Sequence, residues 1–211
     1  MKITKEQALY GAKAFSDYFD RFESIADYMR DQKLNAVSDM PVGLPGLGPE
    51  TDLFNEYDMH PEDMKIEVHR MRQGLWDNYL SIVTSHSNMV SVPGKELRLG
   101  VLEKNTNKWL GFIRLGSPVI NMKPRNQLLD CVFTQDAKTA RSFNNTTIMG
   151  FAIVPSQPFG FNALGGKLLA AICCSHHVRE MMNKKYKGMN VCLFETTSLY
   201  GSSKSSSQYD G

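Results

Sequence analysis

Residues 148–173, IMGFAIVPSQPFGFNALGGKLLAAIC, carry the backbone pattern best suited to holding an anion. The apolar, β-branched run 148–154 predicts a buried strand. Pro155 and Pro158 end it, because proline brings no N–H to a ladder and turns the residue before it away from helix. Gly160, Gly165 and Gly166 allow tight turning and close approach of backbone to a ligand. Asn162 stands where a helix N-cap is useful. Leu164, Leu168, Ala171, Ile172, Val178 and Met182 then follow helical spacing, so one long helix is expected. A strand that passes through a glycine turn into a helix start directs free amides and the positive helix end at one point. The same pattern also makes an ordinary strand-to-helix connection.

Other elements must frame this stretch. Thr4-x-x-Gln7 has the form of a capping box. Ala8, Ala12, Phe15, Phe19, Phe22, Ala26 and Met29 continue it as one apolar stripe, which predicts a helix over about 5–34 packed on a core. Residues 35–60 are broken by MPVGLPGLGPE and read as a linker or surface loop; GLPGLG lacks the GK[ST] of a phosphate loop. His60-Pro61-Glu62-Asp63 opens a second expected helix, 61–84, with Met64, Val68, Met71, Leu75, Tyr79 and Ile82 on its buried face. Residues 97–103 and 109–115 read as a hairpin around Lys104-Asn105-Thr106-Asn107. Short helices are expected at 126–133 and 136–142. Arg141, Asn144 and Asn145 follow, just before the central strand. Lys184-Lys185-Tyr186-Lys187-Gly188 closes the long helix, 191–197 is a further strand, and the tail is Ser-rich. The boundaries are a helical N-terminal region at 1–90 and an α/β core at 91–211.

Composition narrows the function classes. The chain has 211 residues and a formal net charge of +2, too small by itself to argue for nucleic acid or an acidic membrane. No apolar run reaches membrane-span length and MKITKEQ lacks a signal-peptide core, so a soluble, cytoplasmic protein without a membrane partner is expected. Cys131, Cys173, Cys174 and Cys192 form no CxxC pair and read as small, reduced core residues. His60 and His69 lack further ligands at zinc spacing, and His176-His177 diverge as helix neighbours, so no metal site is expected.

The order of two helices, hairpin, strand, turn, helix and strand resembles a GNAT-type N-acetyltransferase. Its turn motif is matched only loosely, by Gln157-x-x-Gly160-x-Asn162 or by Asn162, Gly165 and Gly166. Residues 109–209 resemble the Druantia DruA-like family of phage-defence and phage-associated proteins. The likeness rests on Gly111-Phe112-Ile113, on Asn144-Asn145 before an apolar strand, and on Asn162-Ala163-Leu164 with Leu168-Leu169. Lys185-Tyr186 and Leu193-Phe194-Glu195-Thr196 complete it, with Ser207-Gln208-Tyr209 a looser match. These resemblances imply an α+β fold: a GNAT-like mixed sheet with flanking helices, an N-terminal helical extension and a shortened C-terminal part. About fourteen residues follow VCLFETT, too few for a further helix and hairpin, so the expectation is a truncated or partly represented protein, a second copy or another protein that completes the sheet, or a reduced fold.

The acetyltransferase resemblance implies acyl transfer from acetyl-CoA to an amine. Backbone amides near Ile153 or Val154 would face the thioester oxygen. The turn with Gln157, Gly160, Asn162, Leu164, Gly165 and Gly166 would hold the pyrophosphate. Glu195 would accept the amine proton, Tyr200 or Tyr209 would protonate the thiolate, and Arg141, Asn144 and Asn145 would orient the acceptor. Glu195 reads equally well as a buried carboxylate satisfied by Arg141 or by turn amides, and Asn144-Asn145 as turn residues. Two rival functions stand beside the enzyme. One is a non-catalytic interaction or assembly protein on a decayed acetyltransferase fold. The other is a nucleic-acid-binding or nucleobase-modifying protein using Lys184, Lys185, Lys187 and Lys204.

Overall fold

The structure is a computed structural model and describes residues 4–20, 27–28, 52–54, 56, 59–84, 94–156 and 165–197. The chain divides into two units, Met1–Met40 and Pro41–Gly211. In the first unit, helix α1 (Lys5–Phe19) starts from the expected capping box: Thr4 accepts from the Gln7 amide and Gln7 returns a bond to the Thr4 amide. Its aromatic stripe does not form a core: no residue of α1 is buried. Phe15 and Phe19 stack on one another instead, with ring centroids 4.7 Å apart. The expected continuation through Phe22, Ala26 and Met29 lies outside the described residues.

The second unit is built on a five-stranded mixed sheet, β1 (Ile66–Arg70), β2 (Glu96–Glu103), β3 (Lys108–Gly116), β4 (Thr147–Pro155) and β5 (Leu193–Thr196), in the order β1-β2-β3-β4-β5. The first four run antiparallel to their neighbours; β4 and β5 run parallel. Three helices follow or cover the strands on one side: α2 (Gln73–Val83), α3 (Lys123–Leu128) and α4 (Ala137–Thr146). Two more, α5 (Gly165–Cys173) and α6 (His176–Lys185), connect β4 to β5. The fold is therefore α+β.

Several elements depart from the sequence reading. Residues 61–84 are not one helix. Pro61–Asp63 is a single 3-10 turn, β1 follows, and only 73–83 is α-helical. Met64, Val68 and Met71 imitate a helical face, but Val68 belongs to a strand. The sheet consequently begins at Ile66 rather than after residue 90. Part of the expected linker is core: Phe54 and Leu53 are buried, and the Phe54 amide donates to the Trp109 carbonyl at 3.0 Å. The long helix after the turn is two helices. Ser175 breaks it, its hydroxyl capping α6 at the Val178 amide. The helices expected at 126–133 and 136–142 lie at 123–128 and 137–146, so Asn144 and Asn145 are helical, not turn residues.

The two faces of the sheet differ. Leu97, Leu99, Val101, Ile113, Leu115 and Ile148 join Leu169, Cys173, Val178 and Met182 of α5 and α6 in one apolar cluster. Of the cysteines, Cys173 is buried here and burial pushes its thiol up to about 12. Cys174 and Cys192 are exposed, so the adjacent pair is not a core pair. The opposite face carries Trp76, Tyr79 and Phe112, with Tyr79 stacked on Phe112 at 5.2 Å and the Trp76 indole donating to the Leu99 carbonyl.

Candidate functional site

The central strand delivers an open edge. Gly150 pairs with Leu115 and Ala152 with Arg114, so Phe151 is an extra residue on β4, a bulge. Past the bulge the Ser156 amide donates to the Leu110 carbonyl at 2.8 Å. Alternation along an antiparallel pair then sends the Val154 amide to β3, where Val154 stands opposite Phe112. The Ile153 amide faces the other way. On that side β5 pairs only with residues 147–150 of β4, ending at Gly150 opposite Thr196. Among the described residues no strand covers the edge at Ile153. Of the two amides singled out, Val154 is committed to the ladder and Ile153 faces away from it.

Gly165 and Gly166 are the first two residues of α5, so their amides lie at its positive end. Lys167 stands in that first turn and no acid does. Among the described residues, a Cβ on Gly166 would meet nothing within 4 Å. Gln157, Gly160, Asn162 and Leu164 lie outside the described residues, as do Tyr200 and Tyr209.

Glu195 is mostly buried, and its partner is Arg125 rather than Arg141. The Arg125 Nη1 donates to both carboxylate oxygens, at 2.9 and 3.0 Å. The guanidinium is saturated: it also donates to the carbonyls of Val119 and Ile120 and to the Asn126 Oδ1. Its plane lies over Phe143, 4.5 Å from the ring centroid, and Phe143 stacks on Phe133 at 3.9 Å. For Glu195 to take a proton from an amine, this pair must open. Arg141 is exposed on α4 and makes no hydrogen bond or ion pair among the described residues. Asn144 and Asn145 act through their backbones. The Asn144 carbonyl accepts from the Lys95 Nζ and the Asn145 carbonyl from the Asn190 amide. Burial lowers the pKa of Lys95. Arg141, Asn144 and Asn145 stand at i, i+3 and i+4 on α4, and the bonds described at Asn144 and Asn145 are made by their carbonyls.

A second ionic group lies on the same face as α2. Glu96 bridges Arg98 at 2.5 Å and Arg114 at 2.7 Å, two arginines that stand opposite each other on β2 and β3. Arg98 also lies over the Trp76 ring. Sequence reasoning missed these residues; the alternation of charge with Leu97, Leu99 and Val101 was the available signal.

The model of the family described as "Druantia protein DruA" matches residues 51–202. The curated Druantia protein DruA of Escherichia coli (strain UMEA 4076-1) is 28% identical over 130 residues, 60% of this chain. The chain spans 31% of that protein's length. No solved structure matches the chain. No helix among the described residues is long and apolar enough to cross a membrane. With the family model covering the whole described sheet and most of the chain, the protein belongs to the Druantia protein DruA family.

Proposed function

We propose that the protein is an acyl-CoA-dependent N-acyltransferase-like member of this family, on a divergent GNAT-type fold, acting in a phage-related setting. The observation that carries the reading is the Ile153 amide beside the bulge at Phe151, which no described strand covers because β4 outruns its parallel partner. That geometry suits a donor aimed at the oxygen of a thioester, where charge grows as the amine attacks. A new N–C bond forms, the C–S bond breaks, and the proton lost by the amine ends on the thiolate. The start of α5 suits the pyrophosphate of acetyl-CoA. Glu195 serves as base only in a state where Arg125 releases it.

Titration calorimetry with acetyl-CoA tests the reading. Binding is expected, and Gly166→Glu should weaken it about tenfold or more by placing a carboxylate at the phosphate position. The same change meets no described neighbour and suits a helix start, so the melting temperature should hold. Absence of heat at millimolar acetyl-CoA overturns the reading.

The Arg125–Glu195 pair favours a second reading, a non-catalytic interaction protein in which the carboxylate is structural. Its partner would be a second copy or another protein that extends the sheet beyond β5. Light scattering decides it: a strict monomer with no co-purifying partner rejects this reading.

A further inference from the structure

A cavity of about 380 Å³ opens on the α2 face, away from the β4–β5 edge, lined by Asp52, His69, Arg70, Arg72, Asn107 and Trp109 among others. Its size falls at the lower end of small-ligand sites, roughly 300–1,000 Å³. The aromatic wall is fixed. Gly100 has no side chain, and a Cβ there would lie 2.6 Å from the Trp109 ring and 2.5 Å from the Met71 sulfur. The missing side chain is what lets the indole lie against the sheet. His69 meets the ring edge-on, with centroids 6.0 Å apart. The Tyr79 hydroxyl donates to the buried carboxylate of Asp52, and its ring lies 6.4 Å from that of Trp109. Asp52 thus supplies fixed acceptor atoms beside a fixed flat ring.

The remaining wall is cationic. Arg70 and Arg72 are exposed, and among the described residues neither side chain has a hydrogen-bonding or ion-pair partner. Arg72 is also the N-cap of α2, where its side chain makes no capping bond and the first turn holds no acid. Placing a cation at the positive end of a helix costs stability. An anion bound there would offset both charges.

We propose that this cavity binds one nucleoside monophosphate unit, free or within a single strand, with its base on Trp109 and its phosphate on Arg70 and Arg72. Base–aromatic stacking and arginine–phosphate pairing are the interactions these residue types make best. The Asp52 carboxylate accepts from ring or exocyclic N–H groups of the base. This inference goes beyond the acyl-CoA reading and uses different residues.

Two probes test it on the full chain at low salt: the four deoxynucleoside 5′-monophosphates, followed by indole quenching, and a labelled single-stranded DNA pentamer, followed by anisotropy. Both should bind the wild type. Trp109→Leu and the double change Arg70→Gln with Arg72→Gln should each weaken binding about tenfold or more. The double change should also flatten the salt dependence of the pentamer by about 0.7 in log–log slope, the value for one phosphate. It alters exposed side chains, so it reports even where Trp109→Leu lowers stability. Gly100→Val, which displaces the ring, should weaken binding as Trp109→Leu does. A pentamer bound more tightly than any monomer identifies a strand as the source; equal binding identifies a free nucleotide. No response from either probe at millimolar monomer overturns the proposal. So does equal binding by the arginine double variant. Acetyl-CoA displacing the probes, with Trp109→Leu losing acetyl-CoA as well, would also overturn it, because the cavity would then be the adenosine end of the acyl-CoA site. Gly166→Glu should leave nucleotide binding unchanged, which separates the two readings.

Discussion

The two faces of the sheet solve burial in opposite ways. Under α5 and α6 the contacts are apolar: Leu169, Val178 and Met182 join Leu97, Leu99, Val101 and Ile113, and the buried charge on that side of β2 is Glu103 at its hairpin end. Under α2, α3 and α4 the same sheet buries Arg114, Asp52 and most of Arg125, Glu195 and Arg98. An apolar face gains stability from area alone. A face with buried ions carries desolvation costs that hydrophobic residues of equal volume would avoid. The difference teaches that the second face is where this fold gives up stability for specific geometry, and the cavity lies on that face.

The largest effect should come from separating a buried pair. Glu195→Ala leaves the mostly buried Arg125 guanidinium without its counter-charge, so about 3–5 kcal/mol of stability should be lost in urea melts. Replacing both residues, Arg125→Met with Glu195→Leu, should cost much less. Equal losses from single and double changes would contradict the comparison. On the opposite face, Leu169→Ala removes a side chain with no exposed surface, and about 3 kcal/mol should be lost through transfer and cavity terms. There the second member of a double change should add to the loss rather than rescue it.

The hairpin rim gives a smaller effect with a pH signature. Glu103 is buried, and burial pushes its pKa up. Hydrogen bonds from the Lys65 amide, the Thr106 amide and hydroxyl, and Asn105 outweigh that and hold it below the ordinary 4.5. A carboxyl with a lowered folded pKa contributes stability that is fully present above the unfolded value. That contribution is lost as pH falls through the folded value. Glu103→Gln should therefore be less stable than wild type at pH 7, by about 1–3 kcal/mol. The gap should close in acid, below both values. A gap that is constant with pH would show that the carboxylate charge is not what holds the turn.

What could be read from the sequence follows from local pattern. Alternation at Leu97, Leu99 and Val101, the Asn-rich turn with Asn107 at φ 57°, and the apolar run into Pro155 all encode their own structure within a few residues. The missed features are not local. Strand β1, IEVHR, is a short edge strand whose Val68 falls four residues after Met64, so it passes for helix until it pairs with β2. Asp52 and Phe54 sit beside a Pro/Gly-rich stretch whose composition reads as loop, yet they reach Tyr79 and Trp109 through the fold. Arg125 and Glu195 lie 70 positions apart, and nothing in spacing prefers Arg125 to Arg141. The open edge at Ile153 depends on a bulge, which adds one residue without leaving a compositional trace.

The smallest test concerns the break between α5 and α6. Continuous helical spacing from Leu164 to Met182 hides it, although Ser175 is a good N-cap residue followed by Val178. Its hydroxyl accepts from the Val178 amide at 3.3 Å. Ser175→Ala should cost about 1 kcal/mol by removing that cap. Ser175→Asp should recover it, because a carboxylate caps as well and suits the positive end of α6. This pair of changes lies beside the apolar face, where Cys173 and Val178 are both buried. If Ser175→Ala instead raises stability, α5 and α6 prefer to fuse into one helix. The break would then be a strain imposed by the sheet, and even the apolar face would give up stability for geometry.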